Sequence, residues 1–197
     1  MDTILIVFLL PVFFMLHELE EIIGIRLWMD KNGAALYNRF PRFRQTIRRL
    51  GSITTPAFTV IVAEEFILVS FCTFLSAYTG NWIAWYCCLV AFGFHLVVHL
   101  FQFLLWRGYI PAIVTSLCCL PYCIWAFGET YKFFTPCEQV GYALIGILFG
   151  ALNLFVMHKI VGDRLLKRIR FLIILNKIKW TMKRFIRCLW QKFILCW

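Results

Sequence analysis

Five apolar stretches, at about 3–29, 55–79, 82–106, 109–127 and 139–161, leave this chain few folds to choose from. Each approaches the ~20 residues that carry a helix across ~30 Å of hydrocarbon. The expected fold class is therefore all-α: a polytopic membrane helix bundle of about five transmembrane helices, residues 1–162, followed by a basic amphipathic interfacial helix in the tail, 163–197. With 62% hydrophobic and only 15% charged residues, the chain is too apolar for a soluble domain. The first stretch is expected to remain in place, because no basic segment precedes Ile4 and no small-residue cleavage site follows before the acidic cluster.

Charge sets the expected orientation. Arg26, Lys31, Arg39, Arg42, Arg44, Arg48 and Arg49 gather around a basic loop at about 30–54, Arg107 marks the third connection, and a run from Lys159 to Lys192 follows the last span. Only Lys132 falls on the other side. The positive-inside rule then puts the N-terminus outside and the C-terminus in the cytoplasm. The basic loop, with its Gly and Pro, reads as a short surface helix with turns. In the tail, Ile178, Met182, Phe185, Ile186, Leu189 and Phe193 share one helical face while Lys179, Lys183, Arg184 and Arg187 lie opposite. Its expected partner is anionic lipid at the cytoplasmic surface, and no motif points to nucleic acid.

Against this apolar background the ionisable residues stand out. The first span carries His17, Glu18, Glu20 and Glu21, the second Glu64 and Glu65, the third His95, His99 and Gln102, and the fifth Asn153 and His158. Taking direction alternately at 1.5 Å per residue, these groups fall in one layer in the cytoplasmic half, ~20–27 Å along the first span and ~14 Å along the second. His17, Glu20 and Glu21 are spaced i, i+3 and i+4, and His95 and His99 i, i+4, so each set shares a face. Glu18 reads as lying across the wheel from Glu20 and Glu21, as a pairing or structural group. Asn153 continues the face of Gly146 and Gly150, a GxxxG step that admits close helix contact, while His158 turns ~140° away from it. Thr115 and Ser116 reach the same layer but read as packing residues.

Carboxylates and imidazoles delivered by facing helices form the ligand set of bundle-core metal sites. The expected metal ligands are His17, Glu21, Glu64, His95 and His99, for a divalent iron, zinc or manganese ion. Glu20, Glu21 and Glu65 are the expected acid–base groups, with Asn153 and Gln102 supporting an imidazole from behind. Six of the nine cysteines lie within spans and read as small packing residues, while Cys188 and Cys196 are placed for acylation.

The segment HELEE, His17 to Glu21, near the start of a small multi-span chain with later Glu and His motifs, resembles the HXXEE-domain family of integral membrane proteins. The resemblance implies membrane residence and a shared polar site containing His17, Glu20 and Glu21, and it extends to about the fifth span. A fainter likeness, to CAAX-type intramembrane glutamate proteases with their EExxxR motif, stops at Arg26, one residue late; it would imply metal-independent hydrolysis. Three functions fit the residues: a metal-dependent membrane hydrolase or oxidoreductase acting on a lipid or isoprenoid-like substrate, a proton-coupled or metal-ion transporter, and a non-catalytic scaffold or lipid-binding protein.

Overall fold

The computed structural model describes residues 3–160 together with 179, 180 and 182. These form helices α1 (Thr3–Arg39), α2 (Arg44–Gly51), α3 (Thr55–Thr79), α4 (Ile83–Trp106), α5 (Ile113–Thr130) and α6 (Pro136–Ile160), with short 3-10 turns at Pro41–Phe43 and Tyr131–Phe133. Five of them, all but α2, are long and apolar enough to cross a membrane, so the chain is an integral, multi-pass membrane protein.

The helix ends follow local chemistry. Thr54 caps α3 by accepting from the Ala57 N–H at 3.4 Å, and Gly80, at φ 70°, ends it in the left-handed region. At α6 a capping box operates: Glu138 Oε2 accepts from the Thr135 N–H and hydroxyl, both at 2.8 Å. Arg39 donates to the Trp106 carbonyl at 3.0 Å, satisfying one of the orphan acceptors at the end of α4.

Two boundaries differ from the sequence reading. The first helix does not stop near residue 29 but runs unbroken to Arg39, ~55 Å of helix against ~30 Å of hydrocarbon. Asn32 and Gly33 look like a turn but sit inside it, with Asn32 Nδ2 donating to the Trp28 carbonyl at 3.0 Å; Pro41 restricts Phe40, and the helix ends there. The basic loop is thus the end of α1 plus the 3-10 turn and α2. The fourth span begins at Ile113 rather than 109, since Pro111 and Ala112, at φ 74°, form the entry turn.

The core lies among α1, α3, α4 and α5, around Leu10, Trp85, Leu89 and Tyr122. Pro11 stands inside α1 and offers no N–H to the Val7 carbonyl one turn back. Trp85 on α4 supplies the missing donor, its indole Nε1–H reaching the Val7 oxygen at 3.0 Å, and the Tyr122 hydroxyl donates to the neighbouring Ile6 oxygen at 2.8 Å. The proline therefore becomes a docking point between helices instead of a buried unsatisfied acceptor. Gly24 is needed for close approach as well: a Cβ there would stand 3.2 Å from the Pro111 Cβ.

Apart from residues 179, 180 and 182, the tail 163–197, including Lys183, Arg184 and Arg187, lies outside the described residues. Lys179 is helical and exposed.

A candidate metal centre between the first and fourth helices

Each α-helical residue advances ~100° around the axis, so the His17 and Glu21 positions on α1 are only ~40° apart and project together toward α4. There the i, i+4 pair His95 and His99 faces them. One donor atom from each of His17, Glu21, His95 and His99 lies within 4.8 Å of every other, and this group can hold a metal ion. His99 Nε2 stands 2.9 Å from Glu21 Oε1 and 3.0 Å from His95 Nε2. Bonds of ~2.0–2.2 Å in a tetrahedron separate neighbouring ligand atoms by roughly 3.3 Å, so two of the separations are already of coordination size. Three of the four are buried, His17 fully and Glu21 and His99 to 8% and 7% exposure, while the His95 side chain is 26% exposed at the wall of an adjoining cavity.

His17 is held from behind. Its Nδ1 lies 3.2 Å from Thr115 Oγ1 on α5, and that hydroxyl lies 2.6 Å from Glu20 Oε2. A hydroxyl carries one proton, and the short contact to a carboxylate claims it. The Thr115 oxygen then accepts from His17 Nδ1–H, which fixes the neutral tautomer with its lone pair on Nε2. That atom is buried and takes no hydrogen bond among the described residues, and it belongs to an imidazole of the four-residue group. A buried imidazole nitrogen with its opposite nitrogen tied into a carboxylate-backed chain is the arrangement expected of a metal ligand.

Glu20 itself stands outside the group of four. Its Oε2 also accepts the Thr115 N–H at 2.8 Å, in the first turn of α5, and its Oε1 accepts the Tyr109 hydroxyl at 2.9 Å. A carboxylate from α1 thus satisfies an orphan donor at the start of α5, which has no side-chain cap of its own. Desolvation and this hydrogen bond raise the Tyr109 phenol above its ordinary range.

The remaining residues separate by helix rotation. Glu64 is not among the four donors; it accepts from Asn153 Nδ2 at 3.1 Å, tying α3 to α6. Asn153 therefore supports a carboxylate rather than an imidazole, and Gln102 is exposed with no hydrogen bond to the histidines. His158 bonds its own Leu154 carbonyl at 2.9 Å and packs against Phe58. Glu65 faces a cavity beside the centre, where it is joined by Glu18 and His95. The position of Glu18 corrects the wheel reading: it is 3% exposed, lies ~60° from Glu21 rather than opposite it, and sets its Oε1 3.9 Å from His95 Nε2. Thr115 and Glu18 are the two site residues that the sequence reading passed over.

A five-span helical membrane protein with a buried His/Glu centre between its first and third spans is the class that fold and site define. The chain belongs to the family described as "Protein of unknown function with HXXEE motif", which matches residues 8–126. The motif is His17, Glu20 and Glu21, and the match runs from α1 into α5, taking in His95, His99 and Thr115 but not α6 and Asn153. Neither a curated protein nor a solved structure matches the chain.

Proposed function

We propose that this protein is a metal-dependent membrane enzyme acting on a lipid or isoprenoid-like substrate, with His17, Glu21, His95 and His99 as metal ligands. The observation that carries the reading is the convergence of these four donors within 4.8 Å in a buried layer of the bundle. Imidazole and carboxylate together suit zinc, iron or manganese. When bound, such an ion supplies Lewis-acid polarisation of a substrate oxygen. The protein's own groups do the rest. Glu20 and Thr115 orient His17, the burial of His17, Glu21 and His99 limits water at the ligands, and Glu65, whose Oε1 is buried and without a hydrogen-bond partner among the described residues, is placed at the cavity wall to exchange a proton with a substrate head group.

Metal analysis of the purified full-length protein tests this. About one ion per chain is expected in the unmodified protein and next to none in a His95→Ala/His99→Ala variant. Equal and negligible content in both would overturn the reading.

The same proposal includes orientation. The basic ends of α1, α2 and α4 lead us to place the C-terminus in the cytoplasm and the tail, with Lys179, Lys183, Arg184 and Arg187, on anionic lipid of that leaflet. A reporter fused after Trp197 should be active only in the cytoplasm, and a 177–197 peptide should bind acidic vesicles well above neutral ones. An external reporter signal would reverse the bundle, and equal vesicle binding would remove the electrostatic role of the tail.

A further inference from the structure

Beside the metal centre, bounded by α1, α3, α4 and α6, lies a cavity of about 410 Å³. That is the size of a small-molecule site. Its wall on α4 runs from Ala84 to Val98, ~21 Å of helix, so the space is long in the direction of the helix axes. The hydrocarbon of one leaflet is ~15 Å deep, so the cavity can take most of an extended lipid chain.

Its polarity is uneven. The far part is lined by apolar and thiol groups, among them Cys72, Cys87 and Cys88, whereas Glu18, Glu65, His95 and Asn153 gather at the end next to the metal centre. The two carboxyl groups there lack good donors. Among the described residues Glu65 Oε1 is buried with no hydrogen-bond partner, and Glu18 Oε1 has His95 Nε2 no closer than 3.9 Å. Buried acceptors in this state cost several kcal/mol in hydrocarbon unless a donor meets them. A hydroxyl or ammonium head would supply that donor, while a fatty acid would bring a third carboxyl group to two already present.

We infer that this cavity binds one single-chain amphiphile with a hydrogen-bond-donating head, a long-chain alcohol or amine, its head at Glu18 and Glu65 and its chain running toward Cys87 and Cys88. The inference deepens the substrate class proposed above and rests on that reading for its catalytic meaning, but occupancy of the cavity does not itself require the metal. The geometry has a chemical consequence: the head would lie against His95, a residue of the metal centre, with the chain held away from it.

The test uses full-length protein in nanodiscs and three photoreactive probes of equal length, an alcohol, an amine and a fatty acid, each with a diazirine near the chain end. After irradiation, mass spectrometry should find label on the segment containing Cys87 and Cys88 from the alcohol, the amine or both. The fatty acid should label it about tenfold less, the value of one hydrogen bond to a charged or buried group. Leu68→Trp, which fills the cavity from α3, and Glu65→Leu, which removes an acceptor at similar volume, should each reduce alcohol or amine labelling about tenfold. Label confined to lipid-facing residues such as Phe71 and Leu104, equal labelling by acid and alcohol, or labelling unaffected by both variants would overturn the inference. Metal content measured on the same samples keeps the two proposals apart: labelled protein without metal sinks only the enzyme reading, and metal-loaded protein without label sinks only this one.

Discussion

Thr115→Val should weaken metal binding by ~10–100-fold while leaving the bundle folded, the loss typical of removing a group that orients a metal-bound histidine. Valine keeps the shape of threonine and removes only the hydroxyl. Without it His17 Nδ1 loses its 3.2 Å partner, and nothing dictates which nitrogen keeps the proton. The tautomer with Nε2–H becomes accessible, and it presents a proton where the ion needs a lone pair. Glu20 retains the Thr115 N–H and the Tyr109 hydroxyl, so the start of α5 stays capped. Competition with a chromophoric chelator measures the affinity directly. Thr115→Ser should restore it, and Glu20→Gln should cost less than Thr115→Val, because a carboxamide oxygen still accepts from both Thr115 donors. Valine and threonine proteins of equal affinity would show that the hydroxyl orients nothing.

This role explains why part of the site was legible in the sequence and part was not. The spacing of His17 and Glu21, and of His95 and His99, fixes which residues share a helical face, and the depth count brings those faces to one level. Both quantities are properties of single helices. Which face meets which neighbour depends on helix rotation within the bundle. Glu64 was at the right depth, yet it points to Asn153 on α6 and not to the histidines. Thr115 carried no signal of its own. In a transmembrane helix threonine ordinarily bonds a carbonyl one turn back, as Thr73 does with Val69 at 2.8 Å and Thr130 with Ala126 at 2.7 Å. The Thr115 hydroxyl keeps only a long 3.3 Å contact to the Ala112 carbonyl and makes its short one, 2.6 Å, to Glu20, which arrives from α1. Glu18 is different: it lies ~160° from Glu20 but only ~60° from Glu21, so helix geometry alone puts it on the Glu21 side.

The boundary errors have a similar origin. Asn32–Gly33 is a turn signal in isolation, but a helix already propagating from Thr3 adds a hydrogen bond with each residue and passes through a single glycine at a cost of ~1 kcal/mol. Pro41 cannot be passed in the same way, because it constrains the residue before it and lacks the donor.

Gly146→Ala should be the most destabilising of the single-methyl additions in the bundle, at about 3 kcal/mol. A Cβ at Gly146 would run into the Cys87 carbonyl oxygen and stand 2.9 Å from the Cys87 Cα. These are backbone atoms of α4 and cannot swing aside as a side chain would, so α6 must move. It is already clamped there, since the Cys87 thiol donates to the Tyr142 carbonyl at 3.3 Å, one turn before the glycine. Gly150, the other half of the step, is a milder case: its Cβ would meet the Ala91 Cβ at 3.3 Å, and a shift of a few tenths of an ångström relieves the contact at a cost of about 1 kcal/mol. Thermal unfolding in detergent should therefore rank Gly146→Ala well below Gly150→Ala, and a Gly146→Ala protein as stable as the unmodified one would rule out the close approach of α6 to α4. Because α6 supplies none of the four donors, the folded fraction of Gly146→Ala should retain its metal. The Asn153–Glu64 hydrogen bond and the α6 wall of the cavity should suffer instead, so chain labelling is expected to fall in a protein whose metal centre survives.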